Sequence, residues 1–252
     1  MKDILACFRP DLFAGSAVVV SGGSSGLGLA IAQGFAGLGA SVVATGTSES
    51  KLADAATDPA NLGIKFRRLD VRDSQAVADF MHGLARLDVL VNAQGIGRPV
   101  EEWDEAVFLD VLDVNLSSVM RLSTAAKPLL ETSKGSILNI ASMLSYLMDT
   151  VVPAYTTSKT GLLGLTRVLA HAYGPLGIRV NAIAPGYHRT ELTRPMWDNP
   201  EISGKFADRA ALKRWGEADD VVGAALFLAS PAGAFITAAA LPVDGGYVSG
   251  NS

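Results

Sequence analysis

Tyr155 and Lys159 stand four residues apart in a stretch that continues through Leu162, Leu165 and Leu169. Four residues is about one helical turn, so the two side chains share a face. A free tyrosine titrates near pH 10 and is a weak base at neutral pH. A neighbouring ammonium favours the phenolate, and such a group can take a proton from an alcohol or return one to a carbonyl. Ser142 lies just past an apolar run that ends Asn139-Ile140-Ala141. That places its hydroxyl at a strand end, where open α/β sheets bind ligands and where it could hold a substrate oxygen. The Tyr/Lys pair alone says little, because this spacing is common on amphipathic helices.

A second cluster is built for an anion. Ser21-Gly22-Gly23-Ser24-Ser25-Gly26-Leu27-Gly28 follows a short apolar run and leads directly into residues 27–38, where Leu27, Ile31, Phe35 and Leu38 mark one helix face. Glycines at 22, 26 and 28 allow a tight turn and a close approach of backbone to ligand. The free N–H groups and positive dipole end of the following helix suit a pyrophosphate. The spacing is Gly-x-x-x-Gly-x-Gly, not the strict Gly-x-Gly-x-x-Gly of the dinucleotide fingerprint.

The elements that must position these groups alternate along the whole chain. Residues 16–20, 41–44, 64–69, 89–91, 136–140, 179–184 and 241–243 read as strands, with helical stretches between them. The strands are continuously apolar, so both faces are buried and the sheet is parallel. Right-handed crossovers then put helices on each side. The expected fold is α/β, a doubly wound Rossmann-type sheet of about seven strands, in one domain spanning residues 1–252. Residues 185–208 are irregular and rich in Arg, Pro and Asn; they read as a loop with a short helix, and residues 186–210 as the substrate-binding segment.

Composition narrows the class. Of 252 residues, 49% are apolar and 18% charged, which supports a large core and excludes global disorder. A net charge of −4 offers no basic field for nucleic acid or an anionic membrane. The lone Cys7 cannot form an internal disulfide, no Cys/His cluster suggests a metal, and no apolar run is long enough to span a bilayer. A soluble, cytoplasmic protein with a small-molecule substrate is expected.

Together, the glycine turn, Asn92-Ala93-Gln94-Gly95, Asn115, Ser142, Tyr155-Thr156-Thr157-Ser158-Lys159, Pro185-Gly186 and Val243-Asp244-Gly245-Gly246 occur in the order and spacing of short-chain dehydrogenases/reductases. The resemblance covers roughly residues 12–247. It implies a hydride-transferring enzyme that uses NAD or NADP. Carried over by position, Tyr155 resembles the general acid/base. Lys159 resembles the residue that lowers its pKa and binds the nicotinamide ribose. Ser142 would orient the substrate oxygen, and Asn115 would hold a water in a proton relay. For the cofactor, the resemblance implies Gly22, Ser24, Ser25, Gly26, Leu27, Gly28 and Thr47, with Asp70 and Val71 at the adenine. Asn92, Ala93 and Gly95 follow along the wall, then Pro185, Gly186 and, at the carboxamide, Thr190. The sequence departs from the family at Ala93-Gln94, where Asn-Ala is usual. A homotetramer is the family expectation, with apolar faces at Leu162, Leu165, Leu169, Phe235 and Ile236 as its sequence support.

The segment Ala44-Thr45-Gly46-Thr47 ends the second strand without the acid typical of NAD enzymes or the cation typical of NADP enzymes. With no evident cation for a 2′-phosphate, the reading favours NAD over NADP. Residues 142–146 and 152–155 resemble the branch acting on keto-deoxy sugar acids and gluconate, which implies a role in sugar acid metabolism. A carboxylate substrate needs a cation in a dry pocket; Arg98 and Arg194 are the candidates, with Leu144 and Tyr187 beside them. The alternatives are an NADPH-dependent 3-ketoacyl-thioester reductase and a non-catalytic dinucleotide-binding regulator.

Overall fold

The computed structural model describes residues 1–250. Seven parallel strands form one sheet: β1 (Ala17–Ser21), β2 (Ser41–Gly46), β3 (Ile64–Arg68), β4 (Val89–Asn92), β5 (Ser136–Ile140), β6 (Arg179–Pro185) and β7 (Ala240–Val243). Their order is β3-β2-β1-β4-β5-β6-β7, so the winding reverses between β1 and β4. The crevice beyond the carboxyl ends of the strands at that reversal is where such sheets place ligands.

Helices cover both faces: α1 (Gly26–Gly37), α2 (Glu49–Thr57), α3 (Ser74–His82), α4 (Glu105–Leu112), α5 (Ser118–Ser133), α6 (Pro153–Tyr173), α7 (Pro200–Arg209) and α8 (Val222–Ala229). The strands alternate which layer they feed. Val18, Val20, Val89 and Val91 pack with Ile31 and Phe35 of α1 and with Leu226 of α8. Val19, Leu90 and Ile137 face the other way, onto Met81 of α3, Leu122 and Leu130 of α5 and Leu169 of α6. Each fully buried side chain of this kind contributes about 1.5–3 kcal/mol. Double-sided burial is the reason the strands lack polar alternation.

Two expectations change. Residues 185–208 carry more helix than one short piece: a four-residue turn at Arg194–Trp197 precedes the ten-residue α7. Its start was legible, since Asn199 caps Glu201 and Ile202 through its side chain and Pro200 takes the first helical position. Leu162 and Leu169 are buried within the chain's own core, so they offer no interface. Phe235, by contrast, is fully exposed. Among the described residues no helix is long and apolar enough to cross a membrane, and no group of ligating side chains could hold a metal ion.

Candidate active site

A cavity of about 780 Å³ opens at the strand ends, within the range of pre-formed ligand sites. The glycine turn forms its floor. Gly22 has φ +74°, and a Cβ there would stand 2.5 Å from the Gln94 backbone nitrogen, so glycine is demanded by both conformation and space. The N-cap of α1, Ser25, makes no side-chain bond to the helix, which leaves the first N–H groups of α1 free at the cavity. Ser21, Thr45 and Gln94, all on the wall, carry buried oxygens with no partner (Ser21 Oγ, Thr45 Oγ1 and Gln94 Oε1). Free helix N–H groups above a glycine floor are what a phosphate-bearing nucleotide requires, and they fit one.

Most of the expected cofactor residues line this wall: Gly22, Ser24, Ser25, Gly26, Leu27, Gly28, Thr47, Asp70, Val71, Ala93, Gly95, Pro185, Gly186 and Thr190. Asn92 does not. Its side chain is buried beneath the wall and donates to Asn139 Oδ1 at 2.9 Å, bracing β4 against β5. Thr190 sits against Gly26, its Cγ2 3.6 Å from where a Cβ would stand. Lys51, with Arg67 and Arg68 one of the local candidates for a 2′-phosphate cation, sends its ammonium across the cavity mouth to Glu191 at 2.8 Å, a pairing the sequence did not signal.

At the other end Ser142, Tyr155 and Lys159 converge on the same wall. Ser142 starts the turn after β5, where its Oγ accepts from Leu144 N at 3.1 Å. Its side chain also favours the Tyr155 phenolate, but burial dominates and raises the phenol above its ordinary value, with the Glu102 charge adding to the rise. The depression expected from Lys159 is thus opposed here by burial. Lys159 is 3% exposed, its Nζ donates to Ile140 O at 2.7 Å, and burial lowers its pKa to about 8. The ammonium is thus held 5.6 Å from the Tyr155 ring centre and makes no ion pair with a carboxylate among the described residues.

Asn115 lies in a π-helical turn between α4 and α5, a deviation that recurs at functional sites. Its amide donates to Ile96 O and Ser158 Oγ, and its Oδ1 accepts from Ile96 N at 2.8 Å. It therefore ties the loop after β4 to the helix of Tyr155. Its Oδ1 and Lys159 Nζ each lie 3.5 Å from the point where a Cβ on Gly95 would stand.

The expected substrate residues are only partly brought together. Arg98 lines the cavity but is engaged by Asp110 at 3.3 Å, which also holds Arg72. Arg194 lies over the Trp197 ring, outside the wall. Tyr187 packs with Phe206, Trp215 and Tyr247, and Leu144 joins that cluster, so both support the wall from behind. His188, one of the polar residues expected in the loop after Gly186, is on the wall; the missed residue is Glu102, fully buried behind Tyr155. Burial of an acid has no signature in local spacing, so Glu102 does not stand out from its neighbour Glu101 in the sequence.

Residues 22–248 match the family model described as enoyl-(acyl carrier protein) reductase. A 2-dehydro-3-deoxy-D-gluconate 5-dehydrogenase of Bacillus subtilis (strain 168) is 37% identical over 93% of this chain and 95% of its own length. The chain belongs to the short-chain dehydrogenase/reductase family. It is accordingly an NAD(P)-dependent oxidoreductase acting on an alcohol or carbonyl group. The short-chain dehydrogenase/reductase named gluconate 5-dehydrogenase in Gluconobacter oxydans (strain 621H) is 35% identical over 94% of this chain and 97% of its own. Among solved structures, gluconate 5-dehydrogenase from Burkholderia cenocepacia J2315 in complex with NADP and tartrate superposes with a TM-score of 0.88. It is 30% identical and covers 96% of this chain and 99% of its own.

Proposed function

We propose that the enzyme interconverts a secondary alcohol and a ketone on a sugar acid of the gluconate or keto-deoxygluconate type. The observation that carries the chemistry is the convergence of Ser142, Tyr155 and Lys159 on one cavity wall that continues into the glycine turn. The substrate class rests on the gluconate and keto-deoxygluconate dehydrogenases among its relatives.

In this reading the nicotinamide nucleotide, when bound, supplies the carbon that accepts or gives the hydride. The glycine turn, Thr47, Asp70, Val71, Ala93, Gly95, Pro185, Gly186 and Thr190 hold it. Ser142 orients the substrate oxygen. In the oxidation direction the Tyr155 oxygen takes the hydroxyl proton as the C–H hydride leaves; in reduction it returns a proton to the new alkoxide. Lys159 stabilises the phenolate electrostatically, and a water between it and Asn115 Oδ1 passes the proton on. Both NAD and NADP remain open to the site. No acid repels a 2′-phosphate at Gly46, and the space a side chain there would fill is occupied by Ser24 Oγ, 2.6 Å from the Cβ point. The cations beside Thr47 and Ser48, Lys51 and Arg68, are already paired with Glu191 and Glu49, which supports NAD.

Arg194, stacked on Trp197, and Arg209, stacked 4.6 Å over Tyr247, make no ion pair among the described residues and are the substrate-end cations open to a carboxylate. A 3-ketoacyl-thioester reductase would instead want free cations at the cavity rim, yet Lys51, Arg72 and Arg98 there are all paired with acids. The chain works as one domain, with residues 186–210 closing the substrate end. Exposed Phe235 and Val168 support a homotetramer, and the free Cys7 a reducing, cytoplasmic setting.

The test is a panel of aldonic and keto-deoxy acids against the corresponding neutral polyols, with NAD and NADP, for the wild type and Tyr155→Phe. Acids should lead the panel, and the variant should lose about 10²–10⁴-fold in kcat. Preference for neutral polyols would overturn the substrate class, and an active Tyr155→Phe would overturn the assignment of the base.

A further inference from the structure

Glu102 is 0% exposed, lies 53 residues before Tyr155 in the chain, and makes no ion pair among the described residues. Buried carboxylates without a cation are costly and need hydrogen-bond donors on their oxygens. Both oxygens have one. Oε1 accepts from Arg98 N at 2.8 Å, and Oε2 accepts from Tyr155 N at 2.8 Å.

The second bond closes a gap in α6. That helix begins after Val152, which has no side-chain oxygen and makes no cap. The N–H groups of its first turn must find acceptors elsewhere, and the N–H that Glu102 satisfies is on the residue bearing the phenol. Glu102 is also part of a seam. Val100 N donates to Val151 O at 2.8 Å, and Trp103 Nε1 donates to Thr150 O at 3.1 Å. The loop around residues 98–103 is thereby fastened to the segment entering α6, with Val100 at φ +72°, a conformation a β-branched residue rarely adopts.

We propose that Glu102 is a positioning residue for the reaction: its buried carboxylate joins the loop above the cavity to the first turn of α6 and sets where the Tyr155 hydroxyl stands. The inference rests on the reading of Tyr155 as the proton-transfer group. The carboxylate form is required, because both partners are donors and an amide would turn an NH₂ toward one of them. Its charge acts on the phenol as well as its geometry. Ser142 from the end of β5 favours the phenolate, Glu102 opposes it, the Lys159 ammonium of α6 stands 5.6 Å from the ring centre, and Tyr187 is the remaining titratable neighbour.

Glu102→Gln, Glu102→Asp and Tyr155→Phe are compared with wild type for kcat, KM, thermal midpoint and the pH profile of alcohol oxidation at saturating nucleotide. Oxidation needs the phenolate, so activity rises with pH through the apparent pKa of Tyr155. Removing the opposing charge in Glu102→Gln should move that rise to lower pH by about half to one unit and cut kcat about ten-fold, with nucleotide KM unchanged. Glu102→Asp keeps the charge but is one methylene short. It should leave the rise in place while lowering kcat, and it carries the test if Glu102→Gln does not fold. A wild-type profile and kcat in Glu102→Gln, or a kcat loss that follows thermal midpoint with no pH displacement, would overturn the proposal. An unimpaired Tyr155→Phe would instead remove the reading beneath it.

Discussion

At the nucleotide end of the cavity the walls are strand termini and a glycine turn, held by the parallel register of β1, β2 and β4. At the substrate end they come from the segment between β6 and α7, fixed by side chains: Thr193 Oγ1 donates to His188 O at 2.6 Å and Trp197 Nε1 to Thr190 O at 3.0 Å. The first end is specified by backbone, where a Cβ in the wrong place meets main-chain atoms. The second is specified by residues that could be exchanged without moving the sheet. A backbone-built end tolerates no side chain, whereas a side-chain-built end can change its ligand, and the two should respond to mutation on different scales.

Gly22→Ala gives the largest effect at the nucleotide end. Its φ of +74° already disfavours alanine, and the new methyl would lie 2.5 Å from Gln94 N and 2.6 Å from Gln94 Cα, neither able to swing aside. Nucleotide affinity, measured by calorimetric titration, should fall about 100-fold, equivalent to about 2.7 kcal/mol. The thermal midpoint should fall by several degrees. Affinity within two-fold of wild type would show that the turn can move, and the contrast between the ends would lose its basis.

Gly95→Ala sharpens the contrast, because the same substitution meets no clash. Its Cβ would make ordinary contacts of 3.5 Å with Asn115 Oδ1 and Lys159 Nζ. The fold should hold its thermal midpoint while the methyl takes the place of a water between those atoms, lowering kcat by about 10-fold, the low end of what proton transfer contributes. A variant with full kcat would remove the relay and leave Asn115 as a brace for Ile96 and Ser158 alone.

The same difference governs what the sequence disclosed. The seven strands were readable because burial on both faces removes polar alternation, as in Val18-Val19-Val20, and only their ends shifted, β2 running on to Gly46. The Tyr155 helix and the glycine turn were readable because their chemistry lies in short local spacings. Glu102 and the Lys51–Glu191 bridge were not, since each matters through a partner distant in the chain. For Arg98 and Arg194 the charge was legible in the sequence but its neighbours were not, since a cation reads alike whether it faces a substrate, Asp110 or Trp197.

The Lys51–Glu191 bridge joins the two ends, so Glu191→Gln probes one through the other. Neutralising Glu191, whose carboxyl the ammonium holds below its usual range, frees Lys51 for a 2′-phosphate. The ratio of kcat/KM for NADP over NAD should rise by no more than about five-fold, as befits a solvent-exposed ion pair. The gain should shrink at high salt, which screens exposed charges. An unchanged ratio would place the phosphate away from Lys51.

Arg98→Ala carries the smallest expected effect and asks whether a residue on the wall need act on the ligand. Its guanidinium is half-exposed and shares Asp110 with Arg72, so truncation leaves Asp110 still paired. Its contribution through the bond to Glu102 comes from the backbone N–H, which alanine keeps. Stability should change by less than about 1 kcal/mol, and KM for a sugar acid should stay within about two-fold. A steep rise in KM confined to acids, with neutral polyols unaffected, would mean that Asp110 yields Arg98 to the substrate carboxylate. The substrate end would then begin at the loop after β4, on the nucleotide side of Tyr155, and the division between a backbone-built and a side-chain-built end would run through Arg98 itself.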